Sequence, residues 1–433
     1  MKIEVDAERL AREIDALAAI TDAEPPAVTR VVFTEQDLRA RAWLKERCSD
    51  AGLTIREDAV GNTFIRWEGP RSDLPPVATG SHIDAIPNAG KFDGVVGVLG
   101  GLEAIRALRK SGFTPERSIE LIQFTAEEPT RFGIGCIGSR LLAGVLGPDA
   151  DEQLRGSDNE TLRTARTRTG FAGDLASVRL AQGYYAGFVE LHIEQGPILE
   201  REGIAIGIVT NIVGPASFFI TVEGQGGHAG GVLMPERHDA LCAAAELIVK
   251  IEAAALASGS TDTVATVGIC DVHPGAINSI PSRVKLGVDL RDTDGMRRDR
   301  VMEEIHAAGR DIAQQRQLQI TTQMLNADEP AASSQQVLAA ITQACQQEGL
   351  ASRRIVARAY HDSSFMAKIA PMAMIFIPCR GGVSHRPDEY ASMEHIVGGV
   401  KVLARTLAEL STVAILQSVG AGRIDGMRDQ LQV

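Results

Sequence analysis

The 433-residue chain lacks several features that would place it in a membrane or secreted class. No apolar run approaches the roughly 20 residues that a membrane-spanning helix requires. Residues 1–20 are acidic and amphipathic and contain no signal-peptide apolar core, so we expect a cytoplasmic protein without membrane contact. The six cysteines include no C-x-x-C pair, which predicts reduced thiols rather than disulfides.

The chain also has fewer basic than acidic residues. The chain has 44 Lys and Arg against 56 Asp and Glu, for a net charge of −12. No cluster of Lys or Arg forms a stripe, which argues against nucleic acid as the main partner. A hydrophobic content of 44% and a charged content of 23% are ordinary for a globular protein, and the length favours two domains over one compact core.

The hydrophobic pattern predicts an α/β fold with a mainly parallel sheet. Continuous apolar strands are predicted at 74–79, 118–125, 188–193 and 372–378, and helices are predicted at 95–108, 334–348 and 393–409. Strands that alternate with helices favour parallel pairing, with functional groups at the carboxyl ends of the strands.

A different pattern begins near residue 214. Strands at 216–223, 263–271, 282–292 and 318–325 and helices at 237–257 and 297–314 follow the order β-α-β-β-α-β, which is typical of a two-layer α+β unit. We therefore predict a discontinuous catalytic domain at 1–213 and 329–415, an inserted dimerisation or lid domain at 214–328, and a tail at 416–433. The pattern of residues 150–184 predicts no role.

Five candidate metal ligands follow the predicted strands: His82, Asp93, Glu128, His192 and His385. Three imidazoles and two carboxylates can hold two divalent ions if one carboxylate bridges them, and Asp93 is the candidate because it lies in a glycine-flanked loop. Asp84 follows His82 by two residues and could orient the His82 imidazole by accepting its second N–H. In that role Asp84 would support a ligand without binding the metal itself. Each residue taken alone is equally well explained by a structural role.

Glu127 and Glu128 are adjacent, so their side chains diverge in a turn or an extended segment. One carboxylate could bind a metal while the other accepts a proton from a water molecule. Glu127 as catalytic base and Glu128 as ligand is a chemically sensible division. The alternative is a pair of glutamates that favour the dipole of a helix N-terminus.

The chain resembles the dinuclear-metal M20 amidohydrolase family, in its hydantoinase/carbamoylase branch, between residues 16 and 409. The matching motifs, in order, are GSHIDAIPNAGKFDG, FTAEEPTRFG, ELHIEQGP, GQGGHAG, PGAINSIP, DLRDTD, HDSSFMA and GGVSHRPDEY. The resemblance implies two divalent ions per subunit, with Mn²⁺ favoured and Zn²⁺ or Co²⁺ as alternatives. It places one ion on His82, Asp93 and His192, the other on Asp93, Glu128 and His385, and Glu127 as base.

The resemblance also implies the groups that contact a small ureido or carbamoyl carboxylate substrate: Gln195, Asn278, Arg291, His361 and His228. It implies a homodimer formed through the inserted domain, in which His228 reaches the site of the partner subunit and stabilises the oxyanion. Arg291 has independent support, because it ends an apolar strand where a guanidinium could pair bidentately with a carboxylate. A plain surface arginine is the alternative.

Within the branch, EEPTRFG and AYHDS favour hydrolysis of ureidoglycolate to glyoxylate, ammonia and carbon dioxide. An N-carbamoyl-L-amino acid or allantoate is the alternative substrate, and a dipeptidase or a non-catalytic binding protein is less favoured. The chain departs from the pattern of this family at two places that could change the substrate. These are Gly230-Gly231-Val232 after the H-A-G motif and Arg386 after His385.

Overall fold

The computed structural model describes residues 1–412, so the predicted tail at 416–433 and the last residues of the predicted catalytic domain lie outside it. The helices are α1 (Ala7–Ala18), α2 (Glu35–Asp50), α3 (Val95–Lys110), α4 (Ile137–Leu142), α5 (Ala150–Gln153), α6 (Leu162–Arg168), α7 (Ile198–Glu202), α8 (Ala240–Ala257), α9 (Gly295–Arg316), α10 (Gln335–Glu348), α11 (Ser363–Met366) and α12 (Met393–Ser411). The strands are β1 (Val28–Arg30), β2 (Thr54–Glu57), β3 (Thr63–Trp67), β4 (Val77–His82), β5 (Ala85–Ala89), β6 (Ile119–Phe124), β7 (Gly187–Ile193), β8 (Ile206–Ile212), β9 (Gly214–Glu223), β10 (Gly227–His228), β11 (Val264–His273), β12 (Ser279–Ile280), β13 (Arg283–Asp292), β14 (Gln319–Ala327), β15 (Ala331–Ala332), β16 (Ser352–Ala357) and β17 (Met372–Ile377).

The larger sheet has the strand order β15-β8-β17-β7-β4-β6-β3-β2, with β16 paired to β8. Its central strands β17, β7, β4 and β6 are parallel to one another. The outer pairs β17–β8, β6–β3 and β3–β2 are antiparallel. The fold is therefore α/β as predicted, with a mixed sheet whose parallel centre brings four carboxyl ends to one edge.

Both faces of this sheet are covered by helices. Ala373, Ile375 and Ile377 of β17 belong to the hydrophobic cluster that contains α3, α10 and α12. The alternate residues Met372 and Met374 belong to the cluster on the other face, which contains α4, α6 and α11. Because successive side chains of a strand point to opposite faces, a strand buried on both faces is mostly apolar, and β17 (MAMIFI) is apolar throughout.

A second, antiparallel sheet has the order β11-β13-β9-β14 and is covered on one face by α8 and α9. In β13 the buried residues Val284, Leu286, Val288 and Leu290 alternate with more exposed ones. Asp289 and Arg291 therefore lie on the face away from these helices. The division of the chain into two domains at these strands stays a prediction.

The sequence pattern did not predict β8 and β16, which pair in parallel with each other. β8 is separated from β9 by a single residue, Val213, so no loop divides the two strands. β16 carries Arg353 and Arg354 and is half-exposed, so it lacks the apolar run of the central strands. Local sequence could not identify either strand because their pairing is non-local.

No helix within residues 1–412 combines the length and the apolar composition that crossing a membrane requires. The six cysteines are free, as predicted, but two of them are not core residues. Cys48, Cys136, Cys345 and Cys379 are buried, whereas Cys242 and Cys270 are exposed.

Helix α3 packs closely on the parallel strands through Gly97. A Cβ atom at Gly97 would lie 2.5 Å from the carbonyl oxygen of Leu191 in β7 and 2.6 Å from the Cβ of Ser81 in β4. Both contacts involve atoms that cannot rotate away, so only glycine allows this helix to lie where it does.

We expect Gly97→Ala to lower the free energy of unfolding by about 1–3 kcal/mol, because overpacking forces α3 away from the sheet. Gly398→Ala is the matched control in α12, since its Cβ would meet only a side-chain atom of Leu350 at 3.4 Å. We expect the control to be neutral or slightly stabilising, because alanine favours helix over glycine. Urea unfolding followed by circular dichroism measures both, and equal stabilities would contradict the packing constraint.

Candidate active site

The predicted ligands come together at the carboxyl edge of the parallel strands. His82 is the last residue of β4 and His192 lies near the end of β7. Glu127 and Glu128 follow β6, and His385 follows β17. Since these strands are adjacent and parallel, their ends carry the side chains into one region although the chain separates them widely.

The carboxylate of Asp93 lies at the centre of this group. Its Oδ1 is 3.1 Å from Nε2 of His192 and 3.7 Å from Nε2 of His82. Its Oδ2 is 3.1 Å from Nε2 of His385, and the same nitrogen is 3.1 Å from Oε1 of Glu128. Two triads that could hold a metal ion therefore share Asp93: His82, Asp93 and His192, and Asp93, Glu128 and His385.

A third cluster, formed by Glu190, His192 and His361, is also close enough to hold an ion. The two carboxylate oxygens of Glu190 already accept hydrogen bonds from Ser81, at 2.7 Å, and Ser363, at 2.5 Å. The Glu190 carboxylate is thus already hydrogen-bonded to other residues. The two triads that share Asp93 therefore remain as the candidate metal sites.

The imidazole orientations fit a cation. Nδ1 of His82 lies 3.0 Å from the carbonyl oxygen of Asp84, and Nδ1 of His192 lies 2.9 Å from that of Ile193. Carbonyl oxygens only accept, so each Nδ1 carries the proton and each Nε2 of a neutral ring presents a lone pair. Both Nε2 atoms face the Asp93 carboxylate, and a positive charge between them, a proton or a metal cation, satisfies both sides. Imidazole nitrogen and carboxylate oxygen suit Zn²⁺, Co²⁺ or Mn²⁺.

The pKa values of Asp93 and His385 also show that this cluster favours a positive charge. Burial raises the pKa of Asp93, but hydrogen bonds from His192, His385 and His82 outweigh it and hold that pKa well below its usual range. Hydrogen bonds to Asp93 and Glu128 raise the pKa of His385 to about 10. The Asp93 carboxylate therefore stays ionised and attracts a cation.

Glu127 differs from its neighbour Glu128. Burial, together with the charges of Glu128, Asp362 and Asp93, raises the pKa of Glu127 well above its usual range, with the His82 imidazole acting in the opposite direction. Its Oε2 is 3.7 Å from Nε2 of His82. A carboxylate with a raised pKa is suited to accept and return a proton.

Asp84 orients the Glu127–Glu128 turn. The backbone N–H groups of Glu127 and Glu128 donate to its carboxylate at 3.4 and 2.9 Å. The sequence suggested that this carboxylate would accept from His82, but the backbone carbonyl of Asp84 does so instead. Asp84 thus contacts both a candidate ligand and the candidate base without facing the cavity.

A cavity of about 490 Å³ opens in front of this cluster. Its lining includes Asp93, Glu127, Glu128, His192 and His385 of the cluster, together with Asp289 and Arg291 of β13. Nε of Arg291 donates to Asp289 at 2.6 Å, and a terminal nitrogen donates to the carbonyl of Arg358 at 3.0 Å. These hydrogen bonds hold the guanidinium in the cavity wall.

Gln195 and His361 each present a buried polar atom without a partner among residues 1–412. Nε2 of Gln195 donates to Asp93 Oδ2 at 3.0 Å, whereas its Oε1 has no partner. Nε2 of His361 also has none, and burial together with the nearby His192 lowers the pKa of His361 well below its usual range. A buried polar atom without a partner is costly, so both atoms are suited to contact a polar ligand.

His228 and Asn278 do not line this cavity. Both are exposed, and the backbone N–H of Ala229 donates to the carbonyl of Asn278 at 2.9 Å. Strands β10 and β12 pair beside them, with His228 opposite Ser279. The structure therefore groups these two residues with each other and separates them from the other candidates of the same chain.

Several residues at the site were not singled out from the sequence. Arg140 donates to both carboxylate oxygens of Asp328, at 2.9 and 2.7 Å, and to the hydroxyl of Tyr360 at 2.8 Å. Sγ of Cys136 lies 3.6 Å from Oε1 of Glu127. Arg140, Cys136 and Tyr360 all lie close in sequence to quoted motifs, but no local pattern indicates which atoms they contact.

The model of the family "Peptidase family M20/M25/M40" matches residues 78–409 of this chain. The chain is 52% identical over 416 residues to a ureidoglycolate hydrolase of Arabidopsis thaliana, covering 94% of this chain and 87% of that one. It is 38% identical over 408 residues to an N-carbamoyl-L-amino acid amidohydrolase of Geobacillus stearothermophilus, covering 94% and 99%. The crystal structure of AtUAH in complex with glyoxylate is similar, with a TM-score of 0.85 at 52% identity over 94% of this chain and 98% of that one.

The shared position of Asp93 leads to a prediction about cation content. We expect Asp93→Ala to lose nearly all bound Mn²⁺, because both triads contain this carboxylate, whereas His385→Ala should lose only the part held with Glu128. Elemental analysis of the proteins after Mn²⁺ loading and desalting measures the content. His273→Ala, an exposed histidine at the end of β11, serves as the control. Undiminished metal in Asp93→Ala would rule out the bridging arrangement.

Proposed function

Since this chain belongs to the M20/M25/M40 peptidase family, we propose that it hydrolyses ureidoglycolate to glyoxylate, ammonia and carbon dioxide. The family is hydrolytic, and the relatives named above act on ureido and carbamoyl C–N bonds. The observation that carries the proposal is one cavity lined both by the carboxylate–imidazole cluster and by an arginine that hydrogen bonds hold in place. Such a cavity fits a short substrate with a ureido group and a carboxylate.

Two divalent cations would be held by His82, Asp93, Glu128, His192 and His385, with Mn²⁺ favoured and Zn²⁺ or Co²⁺ also suited to these ligands. When bound, such cations lower the pKa of water and polarise a carbonyl. Glu127 would take the proton from the attacking water and return it to the departing nitrogen, which its raised pKa supports.

The remaining residues would bind and orient the substrate. Arg291 would pair with the substrate carboxylate, since its guanidinium lines the same cavity as the cluster. The unpaired atoms of Gln195 and His361 would contact the polar ureido and hydroxyl groups.

We propose further that the protein is a homodimer formed through residues 214–328, with His228 and Asn278 acting in the site of the partner subunit. Their exposure and their separation from their own cavity support this assignment. So does β11, an edge strand of the second sheet, because long unpaired edges tend to be covered. Cytoplasmic location stays a prediction.

The substrate is tested by measuring ammonia release from the Mn²⁺-loaded protein on ureidoglycolate, allantoate and several N-carbamoyl-L-amino acids. We expect kcat/KM to be highest for ureidoglycolate. A preference for an N-carbamoyl-L-amino acid would support the proposed reaction class but contradict ureidoglycolate as the substrate. Activity on dipeptides alone, followed by release of free amino acids, would overturn both.

The shared site is tested by mixing subunits. We expect Glu127→Gln to abolish turnover while Mn²⁺ content stays near wild type, and His228→Ala to lose most activity through weaker oxyanion stabilisation. After exchange of equal amounts, half of the dimers would be mixed and each would contain one intact site, so activity should return to about a quarter of wild type. Exchange shown by native mass spectrometry without any recovery would contradict a shared site.

A further inference from the structure

We propose, on the basis of the cation site proposed above, that Glu389 and Ser384 are positioning residues for Asp93. Together they connect the loop that carries Asp93 to the loop that carries His385, and we call this connection the Glu389–Ser384 link. Its function is to fix the bridging carboxylate and thereby to set the affinity for divalent cations.

Glu389 is buried, with 5% exposure, although it lies in the loop after β17. Its Oε1 accepts the backbone N–H groups of Phe92, at 2.9 Å, and Asp93, at 3.1 Å. Its Oε2 lies 2.9 Å from the hydroxyl oxygen of Ser384. One carboxylate therefore contacts the backbone of the bridging residue itself and the residue directly before His385.

The Ser384 hydroxyl contacts the other end of Asp93. It lies 3.0 Å from Oδ2 of Asp93 and accepts from Nε2 of Gln195 at 3.2 Å. Oδ2 is the oxygen that faces His385, at 3.1 Å. The single hydroxyl hydrogen of Ser384 is donated to one of these two carboxylates at a time. Glu389 thus holds Asp93 at its backbone, and Ser384 contacts the carboxylate oxygen shared with the second triad.

His385 depends on such support more than the other two imidazoles do. His82 and His192 lie at the ends of buried strands, and backbone carbonyls fix their Nδ1 atoms. The His385 side chain is 46% exposed, its backbone has a φ of 60°, and within residues 1–412 its Nδ1 has no hydrogen-bond partner. Its position is therefore set by its loop, and Glu389 attaches that loop to the Asp93 segment.

The surrounding chain is fitted to this carboxylate. A Cβ atom at Gly90 would lie 2.3 Å from Cβ of Glu389 and 2.4 Å from its Oε1. The loop before Asp93 therefore approaches Glu389 more closely than any residue other than glycine allows. This close approach indicates that the link has a defined geometry.

A second way for Glu389 to act is through its charge alone, since any nearby carboxylate attracts a cation. The Glu389→Gln variant distinguishes a positioning role from a role of charge. The amide oxygen can still accept from Phe92 and Asp93, and the amide nitrogen can donate to Ser384, which then donates to Asp93. A positioning role therefore predicts that glutamine restores what alanine removes, whereas a role of charge predicts equal loss in both variants.

The experiment is a calorimetric titration of the metal-free full-length protein with Mn²⁺. We expect Glu389→Ala to bind Mn²⁺ about 10- to 100-fold more weakly, and Ser384→Ala about tenfold more weakly, as is usual when a residue that orients a ligand is removed. Glu389→Gln should retain most of the wild-type affinity. Glu103→Ala is the matched control, because Glu103 is a buried carboxylate bonded to Asp6 and Arg9.

Wild-type affinity in Glu389→Ala, or equal losses in the alanine and glutamine variants, would overturn the positioning role. If Glu389→Ala does not fold, as judged by circular dichroism, Ser384→Ala decides alone, since it removes one hydroxyl without opening a large cavity. Loss of affinity in Glu103→Ala would attribute the effect to general destabilisation and also overturn it. A wild-type protein that binds no Mn²⁺ would instead overturn the cation site itself.

Discussion

The structure depends on one electrostatic constraint, the placement of three imidazole nitrogens around the buried carboxylate of Asp93. His82, His192 and His385 come from separate segments, and each points Nε2 toward this group. Such an arrangement is stable only with a positive charge among these groups, a proton or a metal cation, because a buried carboxylate is costly in a medium of low dielectric constant. The parallel centre of the large sheet supplies the strand ends at which these groups meet.

The constraint extends outward through backbone packing. A Cβ atom at Gly94 would lie 2.4 Å from Nε2 of His82, so the residue after Asp93 has to be glycine. Farther out, Asp84, Glu190 and Glu389 occupy their carboxylates with backbone N–H groups or serine hydroxyls. These acids surround the site without competing for its cations, because their oxygens already accept hydrogen bonds.

The sequence was informative where chemistry coincides with a strong local pattern. His82, Glu128 and His192 are polar residues at the ends of continuous apolar strands, a contrast that is visible without any structure. It was uninformative where function depends on contacts between distant segments. Ser384 meets Asp93 across 291 residues, and Arg140 meets Tyr360 across 220, and no local pattern encodes such a pairing. Strands β8 and β16 were missed for the same reason, since each is defined by its neighbour rather than by its own composition.

The strand order has a consequence for the time at which the site forms during synthesis. β17 lies between β8 and β7 in the large sheet, although it is the last strand of the described chain. A growing chain is made from the N-terminus onward at about 5–20 residues per second. His82, Asp93 and His192 are therefore exposed to solvent long before β17 is made. The central gap can close only after more than 370 residues have been made. Cation loading with the complete ligand set is therefore a late event, which follows translation of nearly the whole chain.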